Sequence, residues 1–378
     1  MTGLNDLAWP SVRVFHDGKE RPVQADERDG SGRFTATGNG RLDYDDELVF
    51  PVSLPAGRAT TYHLYYDSRA LRPRRSHATT VSFKPVNRDI ADAVLNNGRL
   101  SADLKGPSRH PKENGIHNYG AGAVTSFSLD GKGFTRIRQN WGNYFFGNPW
   151  SHNGGWTKPK MLISGPLRTI VMVHLPETES KNKAGIPTFA GNVTNYFAMY
   201  ETVPILDVEQ LVSYSWSVRK WSASYTFYAA VGGKLDTSDV TFVPVAGAPR
   251  QVPLVQGEQA YLDYRPEQGW MALLDTKEKH GCALFYAKMS EVRENLAWVD
   301  YAPRRQLTPS VTAQTYCYQM QLQYTNRVMQ AGNRLVRRFR IVGLTDEHAH
   351  DVAAQYMIWG RDLLRIADVQ APRGRFLP

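Results

Sequence analysis

The sequence predicts an all-β protein: a large antiparallel β-sandwich with a small N-terminal β domain before it and one C-terminal helix at its end. Three observations support this fold class. Segments in which apolar and polar residues alternate recur along the chain, helical periodicity is nearly absent until the last forty residues or so, and no repeat of fixed period is visible. Strands that bury one face and expose the other are typical of antiparallel sheets.

The predicted strands are spread over the whole chain. TTYHLYYD, PLRTIVMVHLP, SASYTFYAAVGG and NRLVRRFRIVG all alternate with a period of two. The run VTNYFAMYETVPILDVEQLVSYS predicts a hairpin, with Glu201 at the turn before Pro204. The one helical run is DEHAHDVAAQYMIWGRDLLRIA, at about residues 346–367, for which Thr345 is the candidate N-cap.

A domain boundary is predicted near residue 85. The stretch SRALRPRRSHATTVSFKPVNRD is basic, contains prolines and lacks clear periodicity. We therefore assign residues 1–85 to the small β domain and residues 86–378 to the sandwich. In the small domain, ELVFPVSLPAGRATTYHLYYD predicts two strands joined by a Pro-Ala-Gly turn, and the sandwich begins with VLNNGRLSADL, a predicted hairpin with an Asn-Asn-Gly turn.

The charge balance favours an anionic partner. Lys and Arg exceed Asp and Glu by nine, and the sequence pI is about 9.4. The basic residues are spread out, without a recognition helix or an RNA-binding signature, so we do not expect nucleic acid as a partner. No window of about 18 apolar residues occurs, so we do not expect a membrane-spanning segment either. A basic protein without any polyanion partner is the alternative.

The sequence lacks the motifs of several nucleotide-binding, metal-dependent and hydrolase families. The sequence has no GxxxxGK[ST], no GxGxxG after a strand, no HExxH and no GxSxG. Its two cysteines, Cys282 and Cys317, are too few for a four-cysteine zinc site. Both lie in strand-like sequence, so we expect buried free thiols, with a disulfide between them as the alternative.

Two parts of the chain resemble known carbohydrate-active proteins. RVFHDGKERPVQADERDGSGRF and DDELVFPVSLPAGRATTYHLYYD resemble the small N-terminal β domain of exo-rhamnogalacturonan-lyase-like proteins. NNGRLSADL and NYFAMYETVPILDVEQLVSY resemble the galactose-mutarotase-like β-sandwich, or supersandwich, of polysaccharide lyases and sugar epimerases. The chain has no room for the large α/α toroid of the former proteins, so their substrate does not transfer to it.

The resemblance also raises the question of a calcium ion. In such relatives the small domain often has an aspartate-rich loop suited to calcium, and here acidic residues cluster in ADERDGSG and DYDDE. Hard cations need several oxygen ligands, and a full twelve-residue loop is absent. We expect no metal or other cofactor and a solvated acidic turn, with a structural calcium ion as the alternative.

The candidate substrate groove is the segment QNWGNYFFGNPWSHNGGWTKPK, residues 139–160. Tryptophan and tyrosine rings stack on the apolar faces of sugars, while amides bond their hydroxyls. The glycines favour a groove, and a loop whose aromatic residues are buried is the alternative, so the exposure of the tryptophans decides between them. The candidate substrate-binding residues of the protein are Asn118, Asn143, Tyr144, Trp150, Trp156, Tyr200 and Glu201.

Acid–base candidates lie in the same region of the sequence. A lyase acting on a uronate must neutralise the carboxylate, remove the α-proton with a base and protonate the leaving oxygen. Arg or Asn suits the first task, and His or Tyr suits the others. The candidate catalytic residues are His117, Tyr119, His152, Arg168 and Tyr196.

One face of the strand Arg168 to Leu175 contributes to this set. Arg168, as the first residue of that face, is the candidate for the substrate carboxylate. His174 shares the face but lies about 20 Å away at roughly 3.3 Å per residue, so the two cannot serve one reacting centre. The arginines of NRLVRRFRIVG line an anion groove or form solvated charge on an edge strand.

These observations predict a carbohydrate-active enzyme, specifically a polysaccharide lyase that cleaves a uronate-containing glycan by β-elimination. The alternatives are a glycoside hydrolase, a mutarotase-like sugar epimerase and a non-catalytic glycan-binding protein. Hydrolysis needs a carboxylate pair, and the nearest candidates, Glu201, Asp207 and Glu209, form no clear pair in the sequence. We expect a secreted or periplasmic protein whose signal peptide is not in this sequence, with a cytoplasmic location as the alternative.

Overall fold

A computed structural model of the protein describes residues 7–345 with gaps. The residues outside the description are 1–6, 9–11, 38–40, 43–45, 54–58, 67–78, 89–90, 108–121, 135–137, 141–154, 182–184, 186, 216–217, 222–223, 230–238, 246–247, 254–259, 262–269, 276, 278, 287–289, 293–297, 301–303, 313–314, 324–326, 330, 333 and 346–378. The described part is all-β, and its strand pairs are antiparallel, as predicted. The helix predicted at about 346–367 lies outside the described residues.

The strands are numbered in chain order. The first group comprises β1 (Leu7–Ala8), β2 (Arg13–His16), β3 (Lys19–Arg21), β4 (Gln24–Asp26), β5 (Arg41–Leu42), β6 (Glu47–Val49) and β7 (His63–Tyr65). The second comprises β8 (Ser82–Arg88), β9 (Ala91–Asn96), β10 (Leu100–Leu104), β11 (Val124–Leu129), β12 (Lys132–Phe134) and β13 (Arg138–Asn140). The third comprises β14 (Lys160–Ser164), β15 (Arg168–Lys181), β16 (Pro187–Tyr200), β17 (Ile205–Tyr214), β18 (Val218–Trp221) and β19 (Ser224–Ala229).

The remaining strands follow residue 238. They are β20 (Asp239–Val245), β21 (Ala248–Pro253), β22 (Ala260–Tyr261), β23 (Trp270–Asp275), β24 (His280–Tyr286), β25 (Ser290–Val292), β26 (Trp298–Asp300), β27 (Arg304–Thr312), β28 (Thr315–Gln323), β29 (Arg327–Met329) and β30 (Arg334–Thr345).

An eleven-stranded sheet dominates the fold. Its main order is β14-β15-β16-β17-β30-β24-β23-β20-β21, and β25 pairs with both β30 and β26. Two five-stranded sheets have the orders β12-β11-β10-β9-β8 and β13-β19-β28-β27-β22. The smaller sheets are β3-β2-β7, β4-β6, β1-β5 and β18-β29.

The centre of the large sheet follows from the alternation seen in the sequence. On β15, Ile170 pairs with Ala198 of β16, and on β17, Val208 pairs with Phe197. Val171 pairs with Phe197 of β16, and side chains alternate across a strand, so Val171, Val173 and Phe197 share one face of the sheet. All three are buried. The predicted hairpin is present, and the turn between β16 and β17 runs from Glu201 to Pro204.

The sheet of β8 to β12 packs on that apolar face. A Cβ atom added at Gly343 of β30 would lie 2.9 Å from Leu129 Cδ1 of β11. The Asn195 Nδ2 of β16 donates to the Gly122 carbonyl just before β11 at 2.6 Å. These two sheets therefore form a sandwich with the main core between them. The predicted Asn-Asn-Gly turn joins β9 and β10, and its Gly98 has a φ of 90°, a value suited to glycine.

On strands β15 to β17, the opposite face of the large sheet is covered by residues of β2 to β7 and their connections, which we call the N-terminal unit (described residues 12–66). Phe34 packs with Ile170, Tyr196 and Ala198 in one buried cluster, and its ring meets the Tyr196 ring edge-on at 5.1 Å. Four partly buried residues pack against this cluster: Leu162, Ile163, Met172 and Leu211. The face that carries Arg168 and His174 is therefore an interface between two parts of the protein.

Some details of the organisation differ from the expectations. The predicted Pro-Ala-Gly turn, residues 55–57, lies outside the described residues; of the two strands around it, β6 pairs with β4 and β7 pairs with β2. Strand β30 lies between β17 and β24, so its arginines are not on an edge strand. Strand β8 spans the boundary proposed at residue 85, and the division into residues 1–85 and 86–378 stays a prediction.

Among the described residues, no helix is long and apolar enough to cross a bilayer. Cys282 is a free, buried thiol, as expected, and burial raises its pKa to about 12.

Candidate functional site

The predicted site residues are divided between described and undescribed parts of the chain. Those outside the described residues are His117, Asn118, Tyr119, Asn143, Tyr144, Trp150 and His152. Their roles stay predictions. Those that the structure describes are Trp156, Arg168, Tyr196, Tyr200 and Glu201.

The Trp156 ring is packed inside the protein. It is 6 % exposed. A Cβ atom added at Gly122 would lie 2.5 Å from its ring carbons, so the ring covers the Gly122 backbone closely. For this ring the geometry favours the buried alternative.

Arg168 is held by two carboxylates of the N-terminal unit. Its Nε donates to Asp26 Oδ2 and its Nη2 to Glu47 Oε2, both at 2.6 Å. Gln24 Oε1 accepts the Leu167 and Arg168 backbone N–H groups at 2.9 and 3.0 Å. Burial lowers the pKa of Arg168, but Tyr200 and the two carboxylates outweigh it and raise this pKa well above its usual value. The geometry favours a structural role for Arg168, as a link between the unit and the sheet.

Arg28 extends this chain of charges. Its guanidinium bonds Glu47 Oε1 at 2.5 Å and Glu209 Oε1 at 2.7 Å, and it lies 3.6 Å above the Phe34 ring. Burial raises the pKa of Glu47, but Arg168 and Arg28 outweigh this effect and lower the pKa to about 2. Carboxylates and guanidinium groups therefore alternate along the interface, and we call Asp26, Arg28, Glu47, Arg168 and Glu209 the ionic chain.

Tyr200 belongs to a branch of the same network. Its hydroxyl donates to Asp207 Oδ2 at 2.7 Å and accepts from Arg168 Nη1 at 3.3 Å. Arg340 Nη2 also donates to Asp207 Oδ2 at 2.7 Å. Burial and the Asp207 charge raise the pKa of Tyr200, so this phenol stays protonated. The half-buried Glu201 begins the turn, where its N–H donates to the Leu167 carbonyl at 2.9 Å.

A second cluster lies further along the same face, six register pairs from Arg168. His174 Nδ1 lies 2.9 Å from Thr194 Oγ1, and the two residues are register partners on β15 and β16. Arg33 of the N-terminal unit donates from Nη2 to Asn192 Oδ1 at 3.3 Å. His174, Arg33 and Asn192 are half-buried, so the cluster reaches the surface.

Tyr196 forms the floor of this second cluster. It is 2 % exposed and pairs with Met172, two residues from His174 on the same face. Diagonal neighbours of this kind lie about 7–8 Å apart, within reach of aromatic side chains. We call Arg33, His174, Asn192, Thr194 and Tyr196 the rim cluster.

The electrostatics of the rim cluster fix the protonation of its two aromatic acid–base groups. Burial and the positive charge of Arg33 lower the pKa of His174, against a smaller opposing effect of a bond with the Val193 backbone. Burial raises the pKa of Tyr196 to about 12, although Arg33 and Arg28 oppose it. At neutral pH the cluster therefore offers a neutral imidazole, a protonated phenol and a guanidinium cation.

The acidic stretch of the N-terminal unit is largely engaged by protein groups. Asp29 Oδ1 accepts bonds from the Ser31 N–H, the Ser31 hydroxyl and the Arg33 N–H. Asp26 and Glu47 bond arginines. Among the described residues, no group of three or more His, Cys, Asp or Glu is arranged to hold a metal ion. Asp43 and Asp45 lie outside the described residues, so the expected solvated acidic turn and its alternative, a structural calcium ion, both stay untested.

No protein-family model matches the sequence, and no curated protein matches it. Among solved structures, a putative aldose 1-epimerase from Klebsiella pneumoniae has a TM-score of 0.43 at 9 % identity, covering 75 % of this chain and 88 % of its own. A galactose mutarotase related enzyme from Lactobacillus acidophilus has a TM-score of 0.40 at 7 % identity, covering 67 % and 97 %.

A third similar structure is an α-N-acetylgalactosaminidase from Bifidobacterium bifidum. Its TM-score is 0.44 at 11 % identity, covering 70 % of this chain and 38 % of that chain. Likeness at this level does not indicate a shared activity.

The rim cluster was not predicted from the sequence as a unit. The sequence makes Tyr196 a candidate, but the distance between His174 and Arg168 excludes His174 from a shared reacting centre, and Arg33 belongs to an acidic segment. The register of a β15/β16 hairpin is the signal that brings His174 near Tyr196. Arg33 is 159 residues from Asn192, so nothing local in the sequence places it there.

Proposed function

We propose that the protein is a carbohydrate-active enzyme, a polysaccharide lyase that cleaves an acidic glycan by β-elimination. The observation that carries this proposal is the geometry of the rim cluster: His174 and Tyr196 are diagonal neighbours on one face of β15 and β16, and Arg33 bonds Asn192 of the same hairpin. Such a set meets the three needs of elimination at a uronate: charge neutralisation, a base and an acid.

In the proposed reaction His174 is the base. It takes the proton on the carbon next to the carboxylate, and the electron pair of that C–H bond forms the new carbon–carbon double bond. The bond between the neighbouring carbon and the glycosidic oxygen then breaks, and Tyr196 donates its phenolic proton to that oxygen. Solvent exchange returns a proton to Tyr196 and removes one from His174, so the cycle closes without a cofactor.

Other features support an anionic glycan as the substrate. The chain has a formal net charge of +9, and Tyr144 and Trp150 of the segment 139–160 stay candidate stacking groups, whereas Trp156 of that segment is buried. Such a substrate suits a secreted or periplasmic protein, a location that we propose with it.

Hydrolysis and epimerisation are the competing activities. Hydrolysis needs two available carboxylates, whereas Asp207 bonds Arg340 and Glu209 bonds Arg28. Epimerisation uses the same kind of base and acid but returns the proton to the sugar and breaks no glycosidic bond. A non-catalytic glycan-binding protein needs neither His174 nor Tyr196.

The test uses the purified protein and a panel of acidic polysaccharides. We expect the ultraviolet absorbance of an unsaturated uronate product to rise, and His174→Gln and Tyr196→Phe to lower kcat about 10²- to 10⁴-fold while glycan binding persists. Thr37→Ala, an exposed substitution in the N-terminal unit, is the control and should keep full activity.

Three outcomes would overturn the lyase proposal. New reducing ends on neutral glycans, with no absorbance change on acidic ones, would indicate a hydrolase. Interconversion of sugar epimers without chain cleavage would indicate an epimerase. Glycan binding with no turnover of any substrate, unchanged in both variants, would indicate a binding protein.

A further inference from the structure

A tight turn of the N-terminal unit holds Arg33 in place. The Arg33 carbonyl accepts the Asp29 N–H at 2.8 Å, and the Asp29 carbonyl accepts the Gly32 N–H at 2.7 Å. Asp29 Oδ1 accepts the Arg33 N–H at 3.0 Å, and Gly32 has a φ of 78°, which L-residues rarely adopt. Asp29 therefore fixes the backbone from which the Arg33 side chain extends.

The guanidinium of Arg33 differs from its neighbours in its partners. Arg28, Arg168 and Arg340 each bond at least one carboxylate. Arg33 bonds the amide oxygen of Asn192, and among the described residues its guanidinium forms no ion pair, although its charge contributes to the lowered pKa of the Asp29 carboxyl. An arginine has five N–H donors in a planar fork that matches a carboxylate, so this cation retains the capacity to bind one.

The surroundings of Arg33 suit a carboxylate that belongs to a sugar. Asn192 orients the guanidinium through Oδ1 and donates from Nδ2 to the exposed Glu177 at 3.4 Å, so its amide is fixed. Burial lowers the pKa of His174, and the positive charge of Arg33 lowers it further. Asn192, the partner of Arg33, is two residues from Thr194, the register partner of His174, so a uronate carboxylate bound by Arg33 would lie on the side of the hairpin that carries the proposed base.

We infer that Arg33, carried by the N-terminal unit, is the residue that binds the substrate carboxylate, and that it selects acidic over esterified glycans. This inference rests on the proposed function for its substrate class. It transfers to Arg33 the task that the sequence suggested for Arg168, whose guanidinium is already bonded to two carboxylates. Asp29 is a positioning residue for Arg33.

The test compares oligogalacturonate and oligoglucuronate with their methyl esters, first by calorimetric binding and then by turnover. We expect Arg33→Gln to weaken binding of the acids about 10- to 100-fold, as for the loss of one charge-assisted pair, and to change binding of the esters less than about 3-fold. Arg33→Lys should fall between Arg33→Gln and the wild-type protein. The matched control is Arg99→Gln, which removes an exposed arginine paired with Asp130.

The Asp29 substitutions add a second readout. Asp29→Ala should raise KM for the acids with little change in kcat, whereas Asp29→Asn keeps an acceptor oxygen and should restore most of the affinity. Equal losses for acids and esters in Arg33→Gln, or failure of the wild-type protein to bind either acid, would overturn the inference. Selective binding of the acids through Arg33 without any unsaturated product would refute the lyase activity alone.

Discussion

Arg168 of β15 and Asp26 of β4 are 142 residues apart in the sequence, yet Nε donates to Oδ2 at 2.6 Å. The side chains are 6 % and 0 % exposed. A buried carboxylate without a partner is costly, so the N-terminal unit and the large sheet satisfy each other's charges only when they are joined. The ionic chain therefore forms only when the unit is docked on the sheet.

The first prediction concerns the loss of this link. Arg168→Met should lower the free energy of unfolding by about 3–5 kcal/mol, because it leaves Asp26 buried without its cation. Urea denaturation followed by circular dichroism measures this. Arg99→Met is the control: Arg99 and Asp130 are 47 % and 46 % exposed, and the loss should stay below about 1 kcal/mol. Equal losses in the two variants would contradict a structural role for the ionic chain.

The second prediction concerns acid. Because the pKa of Glu47 is lowered to about 2 in the folded protein, its contribution is fully present above the ordinary value of 4.5 and is lost as the pH falls towards 2. The difference in unfolding free energy between wild type and Glu47→Gln should be constant above about pH 5 and shrink below it. Urea midpoints measured from pH 7 to pH 2 check this. A difference that grows on acidification would show that the pKa is raised instead.

The alternation of residues was enough to predict the strands and the hairpin of β16 and β17, because a strand with one buried face leaves a period-two pattern. The Asn97 and Gly98 turn was also predictable, since few residues adopt a positive φ. The partners of Arg168 were not. The burial and the bonds of Arg168 depend on Asp26 and Glu47, which are distant in the sequence and meet Arg168 only in the folded protein. The alternation of residues in one strand does not distinguish a face exposed to solvent from a face that packs on another unit.

Trp156 illustrates the same limit. A tryptophan near glycines fits both an open groove and a covered turn, and only the contact with Gly122 separates them. The rim cluster shows the same limit. The hairpin register is enough to place His174 near Tyr196, whereas Arg33 lies in a turn 159 residues before its partner Asn192, and no local pattern predicts that contact.

The third prediction separates strain from crowding at two glycines. Gly122 and Gly131 have φ values of 72° and 78°, so alanine is strained at both, by about 1–2 kcal/mol. A Cβ atom at Gly122 would also lie 2.5 Å from the Trp156 ring, whereas none of the surrounding atoms lies within 4 Å of one at Gly131. Gly122→Ala should therefore lose about 1–3 kcal/mol more than Gly131→Ala in thermal unfolding. Equal losses would mean that Trp156 is free to move.

The fourth prediction concerns the ionisation of His174. A base must be neutral to act, so kcat/KM should rise with pH through the pKa of His174, at a midpoint below the ordinary 6.5. In the Arg33→Gln variant the neighbouring positive charge is absent, so the midpoint should move upwards. It should stay below 6.5, because the burial of His174 still lowers its pKa. An Arg99→Gln control should leave it in place.

The same shift can be measured without turnover. The imidazole C2 proton of His174, identified by its loss in the His174→Gln spectrum, titrates in nuclear magnetic resonance with the pKa of that ring alone. Agreement between this pKa and the midpoint of the acid limb would assign the limb to His174. If the ring titrates at or above 6.5, the imidazole is not desolvated beside Arg33, and the base of the proposed reaction must be sought among the histidines of the loops, His117 and His152.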